Sequence, residues 1–325
     1  MPGVTVGITG ATGFIGSHLI ALMRQHYASL RLRILTRDRP RAQALLGNGL
    51  EFVEGDVCDP ETIAKTLAGV ECIFHLAAET RFEQRMRTVN LEGTLNLVRS
   101  CRNSRIRKLI YLSSAGVSGQ NKIFSIDEET PCVPDNEYEH TKLEAENVVK
   151  EYGVSEGVST LILRPTIVFG DGKADANDSF YQLMRQIGRK KYFLLNSGKG
   201  AANYVYVGDV AKALLSLYQD NRRGCFTYIV NDQTDMGSIF SYACEAMGIA
   251  YKPWDLPYEP VRISAAIFSS IIPGFTLTPS RVRALNSQFS YSAERIRREL
   301  NFTFDYGIKQ GIIRTVSWLK EKGWL

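Results

Sequence analysis

Tyr138 and Lys142 stand four residues apart in the run Tyr138-Glu139-His140-Thr141-Lys142. On a helix this spacing puts both side chains on one face. A free Tyr titrates near about 10 and a free Lys near about 10.4, so neither moves protons readily at neutral pH. A neighbouring ammonium favours the phenolate and brings the phenol toward the range of a general acid or base. The same spacing is common on solvated helix surfaces, so the surrounding elements must decide whether this pair is chemical.

Those elements alternate. Val4 to Ile8 reads as a buried strand, Ile15 to Arg24 as a helix, and Leu30 to Leu35 as the next strand. Strands at Leu50 to Val53, Cys72 to Leu76 and Leu109 to Leu112 follow, separated by helices at Arg41 to Leu46, Glu61 to Leu67 and Thr88 to Cys101. Tyr138 opens a helix running to about Glu151, and Leu161 to Leu163 is a further strand. This alternation implies an α/β fold, a Rossmann-type doubly wound parallel sheet that binds ligands beyond the carboxyl ends of its strands. After Gly170 the texture becomes mixed and richer in Gly and Pro, with helix again from Ala293 to Leu319. The expected division is a dinucleotide domain over 1–168 and a smaller substrate domain over 169–325, with some later elements returning to the first.

The first strand runs into Gly10-Ala11-Thr12-Gly13-Phe14-Ile15-Gly16, which opens a helix. Glycines let the backbone turn tightly against a pyrophosphate, and the helix start offers free N–H donors and a favourable dipole. The spacing differs from G-x-G-x-x-G, so the match lies in mechanism and position. The second strand ends in Leu35-Thr36-Arg37-Asp38. A carboxylate at this point holds the ribose hydroxyl of NAD, and an Arg accommodates the 2′-phosphate of NADP. Arg37 points to NADP, while Asp38 keeps NAD open. Asp56 and Val57, after the third strand, suit the adenine, and Leu76-Ala77-Ala78 suit a close-packed bed beneath the dinucleotide.

Bulk properties narrow the class. The 325 residues are 44% hydrophobic and 22% charged, ordinary for a globular protein, with net charge +5. The basic clusters Arg102 to Lys108 and Arg189 to Lys191 carry no interleaved aromatics, which argues against nucleic acid. Cys58, Cys72, Cys101, Cys132, Cys225 and Cys244 are scattered without a C-x-x-C pair, and the four His are isolated. No metal site is therefore expected, and reduced thiols point to the cytoplasm. Val4 to Gly7 reads as a strand and not as a secretory leader. The apolar run Ser264 to Phe275 contains Pro273 and is too short to span a bilayer. A buried helix is expected there, with a ligand flap or a shallow membrane contact as alternatives.

With the glycine turn, Asp56, His75-Leu76-Ala77-Ala78, Asn90, Ser113-Ser114 and the Tyr-Lys pair in this order, the chain resembles the extended short-chain dehydrogenase/reductases, the broad NAD-dependent epimerase/dehydratase group. The resemblance implies a catalytic set of Ser114, Tyr138 and Lys142, with Ser113 the neighbouring alternative to Ser114. Tyr138 would exchange a proton with a ketone or secondary alcohol, Ser114 would hydrogen-bond the same oxygen, and Lys142 would lower the Tyr pKa and hold the nicotinamide ribose. It also implies that Asn90 belongs to the cofactor site and that Arg164, Pro165, Thr166 and Ile167 line its nicotinamide end. A homodimer through helices near 90–102 and 138–151 is implied as well.

Nucleotide-sugar members usually carry Asn where this chain has Ile167 and Arg where it has Ala202. Both departures remove donors that a diphosphate needs. The strand ends look more like dihydroflavonol reductases and 3β-hydroxysteroid dehydrogenases. Arg281 and Arg283 could meet an anionic substrate, or equally be helix-surface charges. The expectation is an NADP-preferring ketoreductase or alcohol dehydrogenase. A nucleotide-sugar epimerase, dehydratase or 4-ketoreductase is the alternative, and a non-catalytic dinucleotide sensor the reading from another class.

Overall fold

The computed structural model describes residues 4–119, 123–172, 178–271 and 278–325. In chain order the first half forms β1 (Thr5–Thr9), α1 (Phe14–His26), β2 (Arg31–Thr36), α2 (Arg39–Leu46), β3 (Glu51–Glu54), α3 (Pro60–Leu67), β4 (Cys72–His75), α4 (Glu83–Met86), α5 (Gly93–Arg102), β5 (Lys108–Leu112), β6 (Ser125–Ile126), α6 (Glu137–Glu156) and β7 (Ser159–Pro165). There follow β8 (Ile167–Phe169), α7 (Ser179–Gly188), β9 (Phe193–Leu195), β10 (Ala201–Tyr206), α8 (Val207–Gln219), β11 (Cys225–Val230), β12 (Asp232–Asp235), α9 (Met236–Met247), β13 (Trp254–Leu256), α10 (Tyr258–Ile271), α11 (Pro279–Leu285), β14 (Ser290–Tyr291), α12 (Glu294–Leu300) and α13 (Gly307–Glu321).

Seven parallel strands make the main sheet, in the order β11-β7-β5-β4-β1-β2-β3. Its central strands β1, β4, β5 and β7 are buried along nearly their whole length, which is why they read as unbroken apolar runs. Leu19, Ile20 and Met23 of α1 and Val210, Leu214 and Leu217 of α8 cover one face. Ile63 and Leu67 of α3, Leu97 of α5 and Val149 of α6 cover the other. The sheet order reverses between β1 and β4, and at such a switch point the chain leaves a crevice beyond the strand ends.

The chain leaves the main sheet after β7, where the Thr166 N–H still donates to Val230 O at 3.2 Å. It then enters a smaller sheet ordered β12-β10-β8. β11 lies far along the chain yet pairs with β7 at the edge of the main sheet. Beside the smaller sheet lies a further core of Phe169, Phe180, Met184, Phe240 and Ile312, against which Phe14 and Ile15 at the start of α1 also pack.

Two expectations are corrected. The helix expected over Thr88 to Cys101 is interrupted by a π-turn at Arg87–Glu92, and only from Gly93 does it continue as an ordinary helix. Such turns insert one extra residue and re-aim side chains. Asn90, inside this turn, reaches back to the Glu79 backbone. The helix expected to be buried within Ser264 to Phe275 is instead open over Ser264 to Ile271. Ala265 is the buried residue of α10, while Ile263, Ile267, Phe268 and Ile271 are 52%, 51%, 46% and 69% exposed. The small core beneath it, built around Leu195, Ala265 and Val282, covers one face, and the apolar i, i+4, i+8 ridge lies on the other. Residues 272–275, with Pro273 and Phe275, lie outside the described residues, as does the Arg281 side chain. Among the described residues no helix is long and apolar enough to cross a membrane.

Candidate active site

The glycine turn sits where β1 meets α1. Gly10 has φ +72°, and a Cβ there would lie 2.5 Å from the Ala77 nitrogen and 2.6 Å from the Leu76 carbonyl carbon. A Cβ on Gly16 would lie 2.3 Å from the Gly10 carbonyl oxygen. The backbones at the ends of β1 and β4 therefore touch, and only glycine permits it. Gly13 caps α1 without any side-chain hydrogen bond, so the first N–H groups of the helix are not closed off by a capping side chain. Thr12 is half-buried and Gly13 exposed beside them. This turn at a helix start, with no room for a side chain at Gly10 or Gly16, fits a dinucleotide pyrophosphate.

At the end of β2, Arg37 is exposed, with Arg39 and Arg41 exposed beyond it. The Asp38 carboxylate caps α2 by accepting the Arg41 N–H at 2.9 Å. It is thus engaged as a helix cap. Asp56 is half-buried and accepts the Cys58 N–H at 3.0 Å, and Val57 is buried against Gly93. Leu76 is buried, Ala77 half-buried and Ala78 exposed along the floor next to Gly10.

Ser114, Tyr138 and Lys142 meet beyond β5. Asn136 starts α6 by accepting the Glu139 N–H at 3.0 Å, which sets Tyr138 in the first turn. Tyr138 is half-buried and hydrogen-bonds Ser114. The two adjacent serines differ sharply. Ser113 Oγ donates to Glu146 Oε2 at 2.8 Å within a buried ion pair, where Arg164 Nε and Nη2 reach the same carboxylate at 3.0 and 2.5 Å. Ser114 Oγ accepts the Gly116 N–H at 3.1 Å and is the serine that faces the phenol.

Lys142 departs from expectation. Its Nζ donates to the Leu112 carbonyl at 2.6 Å and lies 4.2 Å from the centre of the Tyr111 ring. Burial pushes its ammonium down to about 7, with the Glu146 carboxylate opposing. Burial pushes the Tyr138 phenol up to about 12, with the hydrogen bond to Ser114 opposing and Glu139 adding to the rise. Lys142 therefore does not lower the Tyr138 pKa in this form, because its positive end is drawn to β5. Two other residues expected at the cofactor are buried and already engaged by the protein. Arg164 is 2% exposed and held by Glu146, and Asn90 is 1% exposed. The Asn90 amide is fully used: Oδ1 accepts the Glu79 N–H at 2.7 Å, and Nδ2 donates to Glu79 O and Thr141 Oγ1, each at 3.1 Å. Pro165 is buried at the end of β7 and Thr166 Oγ1 donates to Asn231 Oδ1 at 2.9 Å, whereas Ile167 is 50% exposed.

Sequence reasoning did not single out Tyr111, Glu146 or Thr141 as parts of this arrangement. The i, i+4 series Lys142, Glu146, Lys150 was the available signal, and Lys150 does pair with Glu146 at 2.7 Å. Among the described residues no group of three or more His, Cys, Asp or Glu could hold a metal ion.

A model of the NAD dependent epimerase/dehydratase family matches residues 6–230, spanning the glycine turn, the three catalytic candidates and β11. The chain belongs to this family. It is accordingly an enzyme of NAD-dependent oxidoreductase or epimerase chemistry, on the Rossmann-type sheet described above. It is 24% identical to N-acetyl-alpha-D-glucosaminyl-diphospho-ditrans,octacis-undecaprenol 4-epimerase of Escherichia coli O157:H7, over 96% of this chain and 94% of that one. It is 27% identical to a sterol-4-alpha-carboxylate 3-dehydrogenase, decarboxylating, of Saccharomyces cerevisiae, over 98% of each chain. Its fold is similar to that of a UDP-glucuronic acid 4-epimerase from Bacillus cereus in complex with NAD, with TM-score 0.76, 18% identity, and coverage of 98% of this chain and 97% of that one.

Proposed function

We propose that the protein is an NADP-preferring ketoreductase or alcohol dehydrogenase in which Tyr138 exchanges a proton with the substrate oxygen. The hydrogen-bonded pair Ser114–Tyr138 beside the glycine cradle carries this reading. Residues 1–168 hold the dinucleotide through Gly10, Thr12, Gly13, Phe14, Ile15 and Gly16, with Asp56, Val57 and the Leu76–Ala78 floor. The greater part of 169–325 holds the substrate. A bound nicotinamide supplies or accepts the hydride. Ser114 steadies the oxygen on which charge develops, and Tyr138 gives it a proton. Lys142, whose ammonium is held at the Leu112 carbonyl, is assigned to the nicotinamide ribose and not to acidifying Tyr138.

The height of the Tyr138 pKa sets a direction. A phenol pushed up to about 12 is fully protonated at neutral pH, ready to donate to a carbonyl and poor as a base. Tyr138 itself leaves the kcat of ketone reduction flat between pH 6 and 8, and a bend near 7 is expected only from the Lys142 ammonium. Alcohol oxidation is expected to rise about tenfold per pH unit over the same range, because the phenolate fraction does so. Initial rates in both directions check this, and an oxidation rate independent of pH would remove Tyr138 as the base.

NADP preference is supported by the exposed Arg37 and by the Asp38 carboxylate being committed to capping α2. Arg37→Ala is expected to weaken NADP about tenfold, roughly 1.4 kcal/mol, and NAD less than about twofold, read by titrating each cofactor. Equal weakening of both would assign Arg37 no part in the 2′-phosphate.

An apolar substrate is supported by exposed Ile167 and by buried Ala202, neither of which can serve a diphosphate. The outward ridge of α10 and the sterol in the Saccharomyces cerevisiae relative's name support the same class, whereas the polyprenol in the Escherichia coli relative's name is joined to its sugar through a diphosphate. The epimerase name of the Escherichia coli relative favours a second reading, epimerisation of a nucleotide- or lipid-linked sugar. That reaction returns the hydride to the same molecule and consumes no cofactor.

Six free thiols support a reducing, cytoplasmic setting. A homodimer through α5 and α6, which lie side by side in the chain, belongs to the same reading. Light scattering is expected to give twice the 36.4 kDa chain mass, and a monomer at micromolar concentration would remove the dimer.

A further inference from the structure

Between the glycine turn and the catalytic helix runs a line of buried polar groups that the proposed chemistry does not itself use. The Ala77 N–H donates to Thr9 Oγ1 at 3.3 Å, and Thr9 Oγ1 lies 2.7 Å from His75 Nδ1. On the other side of the ring, His75 Nε2 lies 3.0 Å from Thr94 Oγ1, whose proton goes to Asn90 O at 2.6 Å. From Asn90, Nδ2 donates to Thr141 Oγ1 at 3.1 Å, and Thr141 Oγ1 donates to the carbonyl of Tyr138 at 3.0 Å. Thr9, His75, Thr94 and Thr141 are 0% exposed and Asn90 1%.

The proton count makes this line directional. A hydroxyl has one proton to give. Thr94 spends its proton on Asn90, so the Nε2–H of His75 must be the donor toward Thr94. Nδ1 is then the acceptor, and it takes the proton of Thr9, whose oxygen is left to accept from Ala77. Every bond points the same way, from the floor under Gly10 to the backbone of Tyr138. A doubly protonated ring would present a second N–H to Thr9 and oppose that order. Burial, followed by the nearby Lys142 ammonium, pushes His75 down to about 3, so the neutral ring persists across the physiological range.

We infer that His75 is a positioning residue, which through Thr9 on one side and Thr94, Asn90 and Thr141 on the other fixes the glycine turn in register with Tyr138. The inference rests on the reading of Tyr138 as the proton donor. Its consequence is that a break in the line should disturb how a bound nicotinamide meets Tyr138 more than whether the dinucleotide binds. Such networks are worth more intact than in parts, because a half-satisfied buried group carries its full desolvation cost.

Thr94→Val removes the hydroxyl between His75 and Asn90 at nearly constant volume, and Thr94→Ser keeps it. Nitrogen NMR of protein labelled in its four histidines is expected to find His75 neutral and protonated on Nε2 from pH 5 to 9. With folded protein checked by thermal melting, Thr94→Val is expected to lower kcat at least about tenfold with the NADP Kd within about twofold. Thr94→Ser is expected to return kcat to within about twofold of the parent. Thr141→Val, at the far end of the line, is expected to act in the same sense, and it replaces Thr94→Val if that variant does not fold. A ring protonated on Nδ1, or a folded valine variant with unchanged kcat, overturns the inference. If the parent protein turns over no substrate, the hydride-transfer reading falls first. The line is then judged by NMR and by the fluorescence of bound NADPH: a changed nicotinamide signal in Thr94→Val at unchanged Kd supports it, and an unchanged signal overturns it.

Discussion

Replacing Tyr138 with Phe is expected to abolish turnover while leaving dinucleotide binding within about twofold. The ring still packs in the half-buried space it occupies between Ser114 and α6, so the fold loses one hydroxyl and little else. What disappears is the hydroxyl assigned to protonate the substrate oxygen. Proton transfer of this kind contributes about 10²- to 10⁴-fold, and the loss should fall on kcat with KM largely kept. Stopped-flow rates and cofactor titration on the same preparation separate the two. Retained turnover would mean that another acid, or water, carries the proton.

Gly10→Ala is the second large effect, and it falls on binding. The position combines a positive φ with a Cβ that would stand 2.5 Å from backbone of Ala77. A methyl group there must strain the turn or part the ends of β1 and β4, and either one moves the N–H groups that would face the pyrophosphate. The cofactor Kd is expected to rise at least about 100-fold, about 2.7 kcal/mol, with the folded core retained. Titration calorimetry reads the loss and circular dichroism the fold. Unchanged affinity would place the dinucleotide elsewhere.

The parts of this site that were legible in the sequence are those with local causes. The strands of a parallel sheet are buried on both faces and announce themselves as apolar runs. The glycine turn is legible because its backbone excludes side chains. Tyr138 and Lys142 share a helix, so their spacing survives folding. The rest depends on contacts that spacing does not encode. Ser113 and Ser114 are neighbours at a strand end and point apart, one to Glu146 and one to Tyr138, a choice that follows from where α6 lies. Lys142 is claimed by the Leu112 carbonyl and the Tyr111 ring, both from a strand some thirty residues earlier. Periodicity marks α10 as two-sided, yet which side the protein covers depends on a small core assembled from β9, β13 and α11. His75 stood in a legible motif, but its two partners come from β1 and α5 and only meet in the folded chain.

The central claim is that Tyr138 protonates a ketone as hydride reaches its carbon. NADPH deuterated at the transferred position of nicotinamide C4, incubated with a panel of apolar ketones, tests it most directly. The expected result is an alcohol carrying one deuterium on the carbinol carbon, one NADP formed per alcohol, and neither product with Tyr138→Phe. Deuterium that stays on the nicotinamide with every ketone, or a Tyr138→Phe variant that transfers it as fast as the parent, would contradict the claim.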